Sequence, residues 1–147
     1  MGAISDTRAI LDRSALFAGV SDATMAKIAA LATRVEFEEG DNIYALGDDA
    51  RQMFIVDRGR VRFSIGVGNR AGPGSVMSAG DVFGWAALLD NSPRRVATAS
   101  CLEDTAVLAI DGKGMLRLFE ADTKSGFIVM RRLAENISRD LMSVLAT

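Results

Sequence analysis

Histidine is absent from the 147 residues, and cysteine, tyrosine and tryptophan occur once each, as Cys101, Tyr44 and Trp85. Without histidine there is no imidazole base, no Ser-His-Asp or Cys-His pair and no histidine-containing metal site. No compact carboxylate cluster stands in for them, so the chain reads as non-enzymatic and without a metal. One cysteine makes no internal disulfide and gives no sign of an oxidising compartment; Cys101 reads as a small buried apolar residue. No apolar run is long enough to span a bilayer, and the start, MGAISDTRAILDR, lacks a basic segment followed by an apolar one. Met1-Gly2 fails as a myristoylation signal, because Asp6 stands where serine or threonine is required. The expected location is cytoplasmic. Neither sign of charge dominates: 17 basic and 19 acidic residues, mixed along the chain to a net charge of -2, leave no basic stripe for nucleic acid.

What the chain has is apolar content, 49% of its residues, enough for the core of one domain over 1–147. The periodicity predicts helices over Thr7 to Arg13 and Ser21 to Thr33. Ser21 and Asp22 supply N-cap chemistry, and Met25, Ile28, Leu31 and Ala32 fall on one face. From Arg34 the rhythm changes to two: Val35 and Phe37 alternate with Arg34, Glu36 and Glu38, as in a half-buried strand. Apolar runs recur at Ile43 to Leu46, Met53 to Val56, Val61 to Val67, Ser75 to Met77, Val96 to Cys101 and Thr105 to Ile110. Turn pairs such as Gly40-Asp41, Gly47-Asp48 and Gly80-Asp81 separate them. The expected fold is mainly β with flanking helices: N-terminal helices over 1–33, an antiparallel, jelly-roll-like β-roll over 34–110, and two C-terminal helices over 111–147. Asp111 and Ser125 stand where they would cap those last two. On the final helix Met130, Leu133, Ile137, Leu141 and Val144 form an apolar stripe in steps of three and four. It suits either packing on the roll or a two-stranded coiled coil in a homodimer. The match of Gly66-x-Gly68-x-x-Ala71 to a dinucleotide fingerprint leads into Gly72-Pro73-Gly74 rather than a helix, and reads as a hairpin loop.

One stretch, Gly80 to Cys101, GDVFGWAALLDNSPRRVATASC, predicts a strand end, a glycine turn, a short helix over Trp85 to Leu89, a polar loop with Pro93 and a strand beginning near Arg95. Such a shape holds an anion. Gly84 permits a backbone conformation closed to other residues, and the turn aims the unbonded N–H groups of a helix start into one concave spot. Arg95 returns to that spot with a permanent charge and a planar fork of donors, suited to a phosphate or carboxylate. The bland alternative is a structural ion pair of Arg95 with Asp90 or Asp81. Arg94 alternates with Arg95, so one points in and the other out. Trp85 reads as core filler, as a plug, or as a stacking wall for a ligand.

The order Gly-acid-x-Phe-Gly-x-x-Ala-Leu, a variable loop, then Pro-Arg-x-x-Ala-Thr resembles the phosphate-binding cassette of the cyclic nucleotide-binding domain family, over residues 80–98. The resemblance implies that Gly84 is the cassette glycine, that Ala86 lies beside the phosphate, and that Arg95, followed by Val96, Ala97 and Thr98, is the cyclic-phosphate arginine. Phe83 and Ala87 flank the turn, and cyclic AMP or cyclic GMP is the implied ligand. Where the family writes a glutamate for the ribose 2′-hydroxyl this chain has Trp85, whose indole donates one N–H and accepts nothing. The resemblance extends through Leu16 to Asp22, Glu39-Gly40-Asp41, Leu46-Gly47-Asp48 and Phe54 to Val61, covering roughly Leu11 to Ala146. Transcription-factor relatives continue into a helix-turn-helix, whereas this chain ends at Thr147, so a stand-alone sensor module is expected. Two readings follow: a module that binds an anionic ligand and signals through its last helix, or a dimerising scaffold whose pocket Trp85 fills.

Overall fold

All six residues from Thr105 to Ile110 are buried, and the fold is arranged to cover both faces of that strand. The computed structural model describes residues 3–64, 76–89 and 93–145. The Gly66 to Ala71 match, Ile65 to Val67, Ser75 and Asp90 lie outside them. In chain order the elements are α1 (Ala3–Asp12), a 3₁₀ turn at Ala15–Phe17, α2 (Asp22–Leu31), β1 (Ala32–Phe37), β2 (Asn42–Tyr44), β3 (Gln52–Arg58), β4 (Val61–Ser64), β5 (Val76–Met77) and β6 (Val82–Phe83). After these come a 3₁₀ cassette helix at Trp85–Leu88, β7 (Thr98–Cys101), β8 (Thr105–Asp111), α3 (Gly112–Ala121) and α4 (Thr123–Leu145).

The described strands form two four-stranded sheets, ordered β1-β8-β3-β6 and β2-β7-β4-β5, and every recorded pairing is antiparallel. The first sheet divides two cores by the two-residue period of a strand. From β3, Met53 and Ile55 join a helical core with Leu11, Ile28, Met115 and Leu133, whereas Phe54 and Val56 join the roll interior with Val61, Phe83 and Ala99. From β8, Leu108 and Ile110 go to the helices and Val107 and Ala109 to the roll. Unbroken apolar runs therefore mark the central strands here, since both faces are covered. The antiparallel β-roll with flanking helices is the expected fold.

Boundaries differ where tertiary contacts intervene. The second helix ends at Leu31, because β1 begins at Ala32 and pairs with β8 from Ala32↔Ile110 to Phe37↔Thr105. The strand expected from Val96 starts at Thr98. Before it, Arg95 N donates to Asp48 O (2.8 Å) and Gly47 N to Arg95 O (2.9 Å), so this segment is tied to a turn rather than to a sheet. Asp111 caps α3 as expected, its Oδ2 accepting from Gly114 N at 2.7 Å. Ser125 does not cap α4; Asp122 does, its Oδ1 accepting from Ser125 N at 3.2 Å. Asp122 Oδ2 then takes hydroxyl bonds from Ser21 (2.7 Å), Thr24 (2.7 Å) and Ser125 (2.6 Å), joining the start of α2 to the start of α4. Bonds from Ser125, Thr24 and Ser21 hold that carboxyl well below the usual carboxylate range.

The stripe on α4 is split. Leu133 is 1% exposed in the helical core, while Met130 and Ile137 are half-buried at its edge. The side chains of Leu141 and Val144 lie outside the described residues. Phe127, 66% exposed, continues the outer edge of the stripe. No helix among the described residues is long and apolar enough to cross a membrane.

Candidate functional site

Gly84 turns the chain from β6 into the cassette helix at φ 77°, ψ 26°, the left-handed region that residues with a Cβ rarely adopt. A Cβ there would lie 2.9 Å from Phe54 Cδ2, 3.1 Å from Arg95 Nη1 and 3.2 Å from Gln52 O. The glycine is thus required twice, by its own backbone and by the arginine laid across it.

Arg95 is only 5% exposed. Its Nη1 donates to Gly84 O (3.1 Å) and its Nη2 to Gln52 O (2.6 Å), and its guanidinium carbon sits 4.1 Å from the centre of the Tyr44 ring. Among the described residues the buried Nε has no hydrogen-bond partner. The expected ion pair with Asp81 does not occur, since Asp81 Oδ2 accepts from Ser78 N at 3.0 Å; the alternative partner, Asp90, lies outside the described residues. Asp48 acts on Arg95 from a distance, while its Oδ2 accepts from Ala45 N at 2.9 Å. Burial lowers the pKa of Arg95 from its ordinary value, and Tyr44 and Asp48 oppose that shift. An arginine stays protonated under such a shift, so a buried cation remains without a carboxylate among the described residues. An anion would relieve it.

Arg94 points outward, as the alternation requires: it is exposed, and its Nη1 meets Asp49 Oδ1 at 3.1 Å and Gly47 O at 3.3 Å. Of the other expected residues, Phe83 is buried in the roll, stacked on Phe54 with centroids 5.1 Å apart. Trp85 is partly buried and packs against the helical core, away from the aromatic cluster of the roll. Ala86 is partly buried. Ala87 is buried against the start of α3, where a Cβ on Gly112 would come within 2.5 Å of Ala87 O. Val96 faces outward at 61% exposure, whereas Ala97 is buried. Thr98 Oγ1 accepts from Leu46 N at 2.9 Å.

Tyr44, Gln52 and Phe54 are partners of Arg95 to which the sequence assigns no role at the site. Tyr44 is the sole tyrosine, in a strand whose neighbour β7 follows directly on the cassette, but nothing local to it announces an arginine above its ring. Burial pushes its phenol up to about 12, while Arg95 pulls the other way. No group of three potential metal ligands occurs among the described residues.

The cyclic nucleotide-binding domain family model matches residues 34–122. A CRP-like cAMP-activated global transcriptional regulator from Mycobacterium tuberculosis is 27% identical over 142 residues, covering 93% of this chain and 56% of the relative. A regulatory subunit of cAMP-dependent protein kinase from Debaryomyces hansenii is 39% identical over 72 residues, covering 49% of this chain and 15% of the subunit. The chain thus spans about half the length, or less, of these curated relatives. Among solved structures, the sensor domain of the transcriptional regulator DNR from Pseudomonas aeruginosa superposes with a TM-score of 0.79 at 17% identity, covering 98% of this chain and 97% of that one. The regulatory domain of Toxoplasma gondii PKA, solved with cAMP, gives 0.77 at 23% identity, covering 93% and 50%.

Proposed function

The chain belongs to the cyclic nucleotide-binding domain family, and from that premise we propose that it is a non-enzymatic regulatory module in which a small anionic ligand pairs with Arg95. Cyclic AMP and cyclic GMP are the leading ligands. The single observation that supports this reading most is the buried guanidinium with no carboxylate partner among the described residues and an unbonded Nε. Burying an uncompensated charge is costly, and a phosphate at Nε and at the Trp85 and Ala86 backbone N–H groups offsets that cost. Trp85 supplies no acceptor for a ribose hydroxyl, which weakens binding by ~1.5–3 kcal/mol, roughly tenfold to a hundredfold. Packing of Trp85 against the helical core, apart from the roll interior, favours the ligand reading over the plugged scaffold.

The signal leaves through the backbone contact of Ala87 with Gly112 into α3, and from there into α4. Ligand binding shifts the helix only by its differential affinity for two helix positions. The outer edge of α4, Phe127, Met130, Ala134 and Ile137 in steps of three, four and three, keeps the seven-residue rhythm of a coiled coil, and we assign it to a second copy of the chain in a homodimer.

Thermal unfolding of wild type and Arg95→Ala, with and without millimolar cyclic AMP or cyclic GMP, tests both statements. A ligand at a hundred times its dissociation constant adds ~2.7 kcal/mol to stability. A rise in melting temperature that vanishes in Arg95→Ala supports the pocket; no rise, with a large basal loss in the variant, supports a structural arginine and the scaffold. Across a protein dilution series, a melting temperature that falls with concentration supports the dimer, and a constant one removes it.

A further inference from the structure

A buried arginine is ordinarily held by a carboxylate; among the described residues, aromatic rings stand in that place. The guanidinium carbon of Arg95 is 4.1 Å from the centre of the Tyr44 ring and 5.5 Å from that of Phe54. Those rings belong to one cluster, with Tyr44 5.9 Å from Phe54 and 6.2 Å from Phe83. We propose that Tyr44 is a positioning residue for the anion: its ring holds the Arg95 cation in place while leaving the Nε–H edge unbonded. The inference rests on the reading of Arg95 as the ligand's partner.

The argument is one of competing acceptors. A carboxylate would take the in-plane N–H groups as a bidentate partner and would have to be displaced by any incoming anion. A ring attracts the cation through its negative face and accepts none of those in-plane bonds. Two carbonyls, Gly84 O and Gln52 O, fix the far ends of the guanidinium, and Nε is left with no partner among the described residues at 5% residue exposure. The ring does this work and the hydroxyl does not, so phenylalanine serves and an aliphatic side chain of similar bulk fails.

The experiment titrates wild type, Tyr44→Phe and Tyr44→Leu with cyclic AMP and, as a bare anion probe, inorganic phosphate. In parallel it follows the Arg95 Nε–H resonance of each unliganded protein. Tyr44→Phe should bind within about twofold of wild type, and Tyr44→Leu about tenfold more weakly, the equivalent of ~1.4 kcal/mol. The Nε–H resonance should be moved upfield by the ring in wild type and Tyr44→Phe, and released in Tyr44→Leu. Equal binding by Tyr44→Leu, or an equal loss in Tyr44→Phe, overturns the role of the ring while leaving the pocket standing. Wild type that binds neither probe overturns the pocket and this inference together. Should Tyr44→Leu fail to fold, the wild-type resonance decides: with no upfield displacement, the ring is not over the cation in solution.

Discussion

Two charged groups sit at the joints of this molecule, and their surroundings are opposite. Asp122, between α3 and α4, has one oxygen taken by three hydroxyls and the other by a backbone N–H. Arg95, at the roll interior, has two carbonyls, a tyrosine ring and an Nε with no partner among the described residues. Both are single charges without an ion pair among the described residues. The carboxylate is saturated by its own chain, as a structural group must be if it is to hold two helix starts together. Among the described residues the arginine is left one donor short at 5% exposure, which is costly in a structural group and useful in a binding one.

The largest break in that contrast comes from Gly84→Ala. Forcing a Cβ into the left-handed region costs ~1–2 kcal/mol, and the new carbon would lie 2.9 Å from the Phe54 ring and 3.1 Å from Arg95 Nη1. We expect the melting temperature to fall by roughly 2–8 °C, at about 2–4 °C per kcal/mol, and the proposed cyclic nucleotide response to disappear with it. Unchanged melting with binding intact would mean that the turn opens away from Arg95 without loss, and that the close fit is not what sets the guanidinium.

A smaller effect is expected at the saturated carboxylate. Ser21→Ala removes the side chain that accepts from Thr24 N (3.2 Å) as the cap of α2 and donates to Asp122 Oδ2. A lost cap of this kind costs ~1 kcal/mol, and anion binding at Arg95 should be unaffected. Acid supplies the companion test through Asp122→Asn. The folded-state pKa of Asp122 is depressed, so its contribution is complete above the ordinary carboxylate value of about 4 and is lost as pH falls below it toward the folded value. Wild type should therefore lose stability below about pH 4 more steeply than Asp122→Asn; parallel curves would show that the hydroxyl bonds do not favour the ionised form.

The two groups also differ in how far the sequence betrayed them. Gly84, Arg95 and the outward turn of Arg94 follow from a local pattern, a glycine before a short helix and the two-residue period of an extended segment, and local patterns survive folding. The β-roll was legible for the same reason, in alternation at Val35 and Phe37 and in apolar runs between Gly-Asp turns. The partners were not. Gln52 O and the Tyr44 ring reach Arg95 from positions 43 and 51 residues earlier, and only the assembled roll brings them there. Ser125 looked like a cap, yet Asp122, three residues before it, has the helix N–H and the hydroxyls of α2 as well. A cap pattern cannot choose between two eligible residues when the choice depends on another helix. The strand expected at Val96 begins at Thr98, since Arg95 is bonded to the turn at Gly47 and Asp48.

The finest test uses the fact that Tyr44 is the only tyrosine. Its ionisation can be followed by absorbance with no other phenol in the signal. Burial raises the folded-state value to about 12, against an ordinary 10, while the cation of Arg95 pulls it back. The raised value means a contribution to stability that is complete below about pH 10 and is lost as pH rises through the folded value. An alkaline titration of the native protein should therefore have its midpoint near 12, and the protein unfolded in denaturant near 10. Arg95→Gln keeps much of the bulk and removes the charge, so its tyrosine should ionise at higher pH than in wild type, because only the opposing influence has gone. A ligand anion that neutralises Arg95 in the intact protein should act in the same direction. A midpoint near 10 in native wild type would put the phenol in water, take Tyr44 from beneath the guanidinium, and leave Arg95 held by its two carbonyl acceptors alone.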